Sequence, residues 1–140
     1  MKGAYLLLLE LPKPLILTIG KLGTIHFEKG WYAYIGSALN GLDQRIQRQL
    51  RTNKKTHWHI DYLLPYTEIV SVFYKENNQS EECKIAQSLE SNFENIPGFG
   101  CSDCTRTSHL FRVSSEDINR IVGSLGMKPY PLYTNPLIPL

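Results

Sequence analysis

Residues 5–9, Tyr-Leu-Leu-Leu-Leu, make the most apolar run of the chain, and Glu10, Pro12, Lys13 and Pro14 stop it almost at once. A membrane-spanning helix needs about 20 such residues. The run therefore reads as a β-strand from Gly3 to about Leu11, with Tyr5, Leu7 and Leu9 on one face. Proline ends it because it cannot donate to a strand ladder. Only Lys2 precedes the run, so no signal peptide is expected.

The rest of the composition narrows the class. A chain of 140 residues has room for one domain, taken as 1–140 with a proline-rich tail over 129–140. Apolar residues at 42% and charged residues at 20% exclude collagen, coiled coil and general disorder. Fifteen Lys and Arg against 13 Asp and Glu give a net charge of +2, so any nucleic-acid affinity has to come from a local patch. Three cysteines without an export signal point to a reducing, cytoplasmic setting.

Strands are expected at 15–19 and 24–27, joined by a hairpin turn through Gly20 and Gly23, and again at 31–35. A helix starts near Asn40 or Gly41 and ends near 51–53, with Leu42, Ile46 and Leu50 on one face. The stretch 58–64 fits a short helix or a strand. A strand follows at 68–74, then a helix at 81–93 capped by Ser80. A short strand at 109–113 and a helix capped by Ser114 or Ser115 and stopped by Gly126 complete the order. This order predicts a mixed α+β arrangement in which helices pack on a small sheet.

Four groups of residues carry possible chemistry. Tyr5 on the first strand and Tyr34, with Gly36, on the fourth make either a cross-strand aromatic pair or a site that Gly36 leaves open. On a helix turning ~100° per residue, Glu82 falls at the centre of the stripe formed by Ile85, Ala86, Leu89 and Phe93. A carboxylate on the core side is costly unless paired or bound to metal. Arg45, Arg48, Arg51, Lys54, Lys55, His57 and His59 put seven basic or titratable residues within fifteen positions. That is either a solvated helix face or the footprint of a polyanion. Cys101, Cys104 and His109 have zinc-like spacing, but the remaining ligands would have to come from Cys83, His57 or His59 far away. A buried loop cysteine or an occasional disulfide is the expectation for Cys101 and Cys104, and zinc is accordingly not the expected cofactor.

Together these residues resemble the GIY-YIG nuclease superfamily, and within it the short, stand-alone, Uri-like domains. Gly3-Ala4-Tyr5 is similar to the first motif, with Ala4 in place of the usual Ile, and Tyr34-Ile35-Gly36 matches the second. The two motifs are separated by the inserted hairpin around 20–23, and the Asn that several members carry near the domain end has no counterpart. The resemblance spans about 1–113. It implies a small, mainly antiparallel sheet flanked by helices and Mg²⁺- or Mn²⁺-dependent cleavage of DNA. Glu82 is then the metal ligand and Arg45 the cation that stabilises the phosphate. Tyr5 helps deprotonate the attacking water, Tyr34 hydrogen-bonds water or phosphate, and His57 or His59 relays a proton. Arg48, Arg51, Lys54 and Lys55 are the expected DNA contacts. A nucleic-acid-binding module without catalysis and a zinc-stabilised interaction domain remain the alternatives. No membrane partner is expected.

Overall fold

Nine consecutive residues, Gly3–Leu11, form β1, and all but Glu10 are buried. A strand buried on both faces needs a neighbour on each side and cover above and below. In a computed structural model, which describes residues 2–38, 41–51, 54–56, 58–77, 82–100 and 108–130, it has them. β4 (Gly30–Ala38) and β5 (Glu68–Glu76) flank β1 antiparallel, so that Tyr5 stands opposite Gly36 on one side and Tyr74 on the other. The sheet continues through β7 (Leu110–Val113) and the two-residue β6 (Glu94–Asn95) beyond β4, and through β8 (Lys128–Pro129) beyond β5. The strand order is β6-β7-β4-β1-β5-β8, with every pair antiparallel. β2 (Leu15–Ile19) and β3 (Gly23–Phe27) form a separate hairpin around a 3₁₀ turn, Gly20–Leu22.

The alternation along β1 separates two cores. Tyr5, Leu7, Leu9 and Leu11 join Tyr32 and Tyr34 under α1 (Leu42–Leu50), α2 (His59–Leu63) and the hairpin. Ala4, Leu6 and Leu8 join Ala33, Ile35, Phe73 and Phe111 under α3 (Glu82–Glu90) and α4 (Ser115–Ser124). Leu6, Leu7 and Leu9 have no exposed surface. Each such burial contributes about 1.5–3 kcal/mol. The expected α+β class, mainly antiparallel and flanked by helices, is the observed one.

Some boundaries differ. β4 runs to Ala38, which places Gly36 and Ser37 inside the strand. The ambiguous stretch 58–64 is α2, continued by a 3₁₀ turn at Leu64–Tyr66. The Asp61 carboxylate accepts the Trp58 N–H at 2.9 Å and so caps the start of α2. α3 stops at Glu90, and its expected cap Ser80 lies outside the described residues. Ser114 caps α4 by accepting the Asp117 N–H at 3.0 Å.

The chain after α4 returns to the sheet. Tyr130 donates its N–H to the Val72 carbonyl at 2.8 Å and its hydroxyl to Asp43, in the first turn of α1, at 2.6 Å. None of the described helices is long and apolar enough to cross a membrane.

Candidate functional site

Tyr5 lies near the start of β1, its ring over Gly36. A Cβ at position 36 would sit 2.2 Å from Tyr5 Cζ, so only glycine leaves room for the ring there. The Tyr34 ring follows on the same face, with centroids 6.5 Å apart and planes tilted by 56°. Its other neighbours are Phe99, edge-on at 6.2 Å, and Gly100.

Both phenols are buried. The Tyr5 hydroxyl accepts Gln49 Nε2–H at 3.0 Å. Burial pushes its pKa up to about 12, with Gln49 and the Arg45 charge pulling it back and Glu82 pushing it further. Burial also holds Tyr34 well above the ordinary value, reinforced by Tyr5 and Glu82 and opposed by Arg45. The charges of Arg45 and Glu82 therefore both reach Tyr5 and Tyr34, although the body of α3 packs on the opposite face of the sheet. The expected role of Tyr5 in deprotonating water is not supported, because a desolvated phenol keeps its proton at neutral pH. Its O–H can donate to an anion or a water instead.

Arg45 projects from α1, its guanidinium 4.3 Å from the Trp58 ring centroid, and it forms no ion pair with a carboxylate among the described residues. Arg48, one turn on, also lies over Trp58, at 4.2 Å. There the similarity ends. Arg48 grips the buried Asp61 with both terminal nitrogens at 3.1 Å, and Nη2 also donates to the Lys55 carbonyl at 3.2 Å.

Lys54 is likewise drawn inward. Its side chain is 9% exposed, donates to the Arg48 and Gln49 carbonyls that end α1, and lies 3.9 Å from Asp61. Burial lowers its pKa to about 8; Arg48 and Arg51 add to the effect, and Asp61 opposes it. Arg48 and Lys54 are thus drawn inward from the expected DNA patch, three Arg48 N–H groups and the Lys54 ammonium being engaged by Asp61, the Lys55 carbonyl and the end of α1. Arg51 and Lys55 remain exposed.

Glu82 is in the first turn of α3, its side chain 22% exposed. Its Oε1 lies 2.7 Å from Nδ1 of His109, whose side chain is 2% exposed. His109 precedes β7, and its carbonyl accepts the Ile35 N–H at 2.9 Å. The core-side facing expected of Glu82 is therefore resolved by a histidine partner. Cys83, the next residue, is disulfide-bonded, which removes it as a zinc ligand. Cys101, Cys104 and His57 lie outside the described residues.

Residues 4–127 match the model of a family described as a domain of unknown function, DUF123. The chain belongs to the DUF123 family. No curated protein and no solved structure matches it.

Within this DUF123 fold His59 sits apart from the hydroxyls, across Phe99. Its Nδ1 accepts the Gly100 N–H at 2.9 Å and its ring meets Phe99 edge-on at 5.6 Å. A ring nitrogen engaged in holding a backbone turn cannot also pass a proton, so the relay expected of His59 is left to Nε2 alone. Three residues that position the site escaped the sequence: Gln49 on Tyr5, Asp61 on Arg48, and Trp58 beneath both guanidiniums. Asp61 did leave a signal, as the first acid after a run of seven basic residues.

Proposed function

We propose that this DUF123 domain is a metal-dependent DNA endonuclease that hydrolyses phosphodiester bonds. The observation that carries the proposal is the Tyr5–Tyr34 pair, rings 6.5 Å apart, with the charges of Arg45 and Glu82 both acting on it and with Gly100 packed between Tyr34 and the His109 that meets Glu82. Two buried hydroxyl donors, a cation without a carboxylate partner among the described residues and a partly exposed carboxylate are groups suited to hold a phosphodiester.

The donor set fits Mg²⁺ or Mn²⁺. A hard cation keeps several waters and uses one or two carboxylates together with substrate phosphate. Glu82 supplies one carboxylate, and among the described residues no three His, Cys, Asp or Glu side chains close into a cage of structural-zinc type. When bound, the cation supplies positive charge to the phosphate and to the leaving oxygen.

The protein's own groups do the rest. Arg45 offers a planar fork of N–H donors to the phosphate oxygens as charge grows on them. Trp58 keeps the guanidinium in place by stacking. Tyr5, with its oxygen already accepting from Gln49, keeps its own proton as a donor for a group brought against the buried end of β1. Tyr34 supplies a second O–H beside it. A cytoplasmic location is proposed with this activity; the disulfide at Cys83 runs against the reducing setting expected from the cysteine count.

The test is a cleavage assay on branched, flapped and linear DNA with Mg²⁺ or Mn²⁺. Wild type should cut at least one of these, and Glu82→Ala and Arg45→Ala should not. Robust cutting by Glu82→Ala would overturn the mechanism. Binding of DNA without cutting, equal in wild type and Glu82→Ala, would identify a binding module instead.

A further inference from the structure

We infer that His109 is a second protein ligand to the cation held by Glu82, so that the site prefers a borderline first-row metal such as Mn²⁺ to Mg²⁺. The inference rests on the proposed role of Glu82 and adds a residue and a metal class to it.

The contact between the two side chains is unusual in one respect. Nδ1 and Oε1 are 2.7 Å apart, a short hydrogen-bond distance. Yet among the described residues neither Nδ1 nor Nε2 of this buried ring has a hydrogen-bond partner. The carboxylate oxygen therefore stands close to Nδ1 but off the direction of a ring N–H. A buried imidazole left without partners is expensive and rare in native folds.

An ion shared by the two groups explains the short but misdirected contact and gives Nδ1 a partner; Nε2 is outside its reach. A metal on the imidazole lone pair lies along the direction an N–H would take. A carboxylate oxygen in the neighbouring coordination position then lies to the side of that direction. With metal–ligand bonds of about 2.1 Å to each atom, such neighbours are about 3 Å apart, close to the separation present here. Both side chains are held in place. His109 is fixed through its backbone, which donates its N–H to the Phe99 carbonyl at 2.8 Å and accepts from Ile35. Glu82 is fixed by a helix whose next turn is buried.

The donor types set the preference. Magnesium takes oxygen ligands almost exclusively, whereas imidazole nitrogen favours the first-row transition ions. One nitrogen and one carboxylate oxygen leave the remaining positions open for water and phosphate.

The test needs no DNA. Mn²⁺ is added to the full chain, and electron spin echo spectroscopy looks for coupling to an imidazole nitrogen. Calorimetric titrations with Mn²⁺ and Mg²⁺ alone give the ratio of affinities. Wild type should show the nitrogen coupling and bind Mn²⁺ at least about tenfold tighter than Mg²⁺. His109→Gln should lose the coupling and bring the two affinities to within about threefold, while Glu82→Gln should lose both metals. Far-ultraviolet dichroism confirms that each variant is folded, and the wild-type spectrum decides the matter even if His109→Gln is not. Absence of nitrogen coupling in metal-loaded wild type, or its persistence in His109→Gln, overturns the inference. Glu82-dependent cutting with Mg²⁺ would then still stand. Conversely, nitrogen coupling in a protein that cuts no DNA would uphold the His109 ligand and sink the nuclease.

Discussion

Around Asp61 every charge is answered. Arg48 grips it with two nitrogens, Lys54 approaches from the end of α1, and the Trp58 N–H caps it. Around Arg45 and Glu82 no Lys or Arg answers a carboxylate among the described residues. The guanidinium meets an aromatic face and the neighbourhood of Tyr5, and the carboxylate meets the His109 imidazole while keeping part of its surface in solvent. Arg45 and Arg48 stand one helical turn apart on the same nine-residue helix and over the same indole. One is structural and the other is open because a single buried carboxylate lies within reach of the second and not of the first. Residue type and spacing do not separate those roles; the partner does.

The sharpest way to break this contrast is to remove a charge from each group. Glu82→Ala should lower cleavage at least about 10⁴-fold, equivalent to about 5.4 kcal/mol in the barrier. It should shift stability by only a few tenths of a kcal/mol, since a carboxylate in a first helical turn contributes little more. Asp61→Ala should do the reverse and cost about 3–5 kcal/mol of stability, because it strands Arg48 and Lys54 without their counter-charge. Urea unfolding of both variants beside the cleavage assay checks the pair. Equal stability losses would erase the distinction.

Gly36→Ala tests whether the open group depends on shape as well as charge. The new methyl would meet the buried Tyr5 ring, and the overpacking should cost about 1–3 kcal/mol. A thermal melt measures it, and an unchanged midpoint would mean that the ring moves freely.

A subtler test concerns pH. The folded pKa of Lys54 is lowered to about 8, below the ordinary value of about 10.4. Between those values the unfolded chain holds the proton that the folded chain has released, so stability should rise from about pH 8 to about pH 10.4. Lys54→Met should lack that rise. Tyr5, raised to about 12, acts in the other direction. Its contribution is complete below about pH 10 and fades as the pH climbs through 12. Unfolding free energies from pH 7 to 11, wild type minus Lys54→Met, isolate the lysine; a flat difference would contradict its burial.

The smallest effect belongs to the exposed cations. Reversing Arg51 or Lys55 should reduce the slope of DNA binding against salt by about one each. Reversing Arg48 or Lys54 should instead destabilise the fold. Identical behaviour of all four would restore them to a single patch.

Much of this could be read from the chain, for physical reasons. β1 is legible because an apolar run closed by prolines has few alternatives, and α1 and α4 because each shows an apolar face and a stop. The facing of Glu82 follows from helical geometry alone. α2 does not show, because five residues are too few for a period and its start depends on one Asp61 hydrogen bond. Lys54 looked like surface because a run of cations carries no sign of the buried acid that collects two of them. His109 as the partner of Glu82 is invisible in sequence, since 27 positions and a strand pairing bring them together. Tyr5 was placed correctly on its face, but its chemistry depends on desolvation, which only the packed neighbours reveal.

The hydrogen bond from Tyr130 to Asp43 has a consequence in time. It closes a loop of 87 positions, at an entropic cost of about 4 kcal/mol for a flexible chain. Contacts of such long range form slowly and after local structure. The first turn of α1 thus receives its last anchor from chain synthesised after nearly everything it packs against, and the helix that presents Arg45 settles into register late. A nascent domain would hold the centre of its sheet before the first turn of α1 is anchored, and Arg45 would settle only once the final strand had docked.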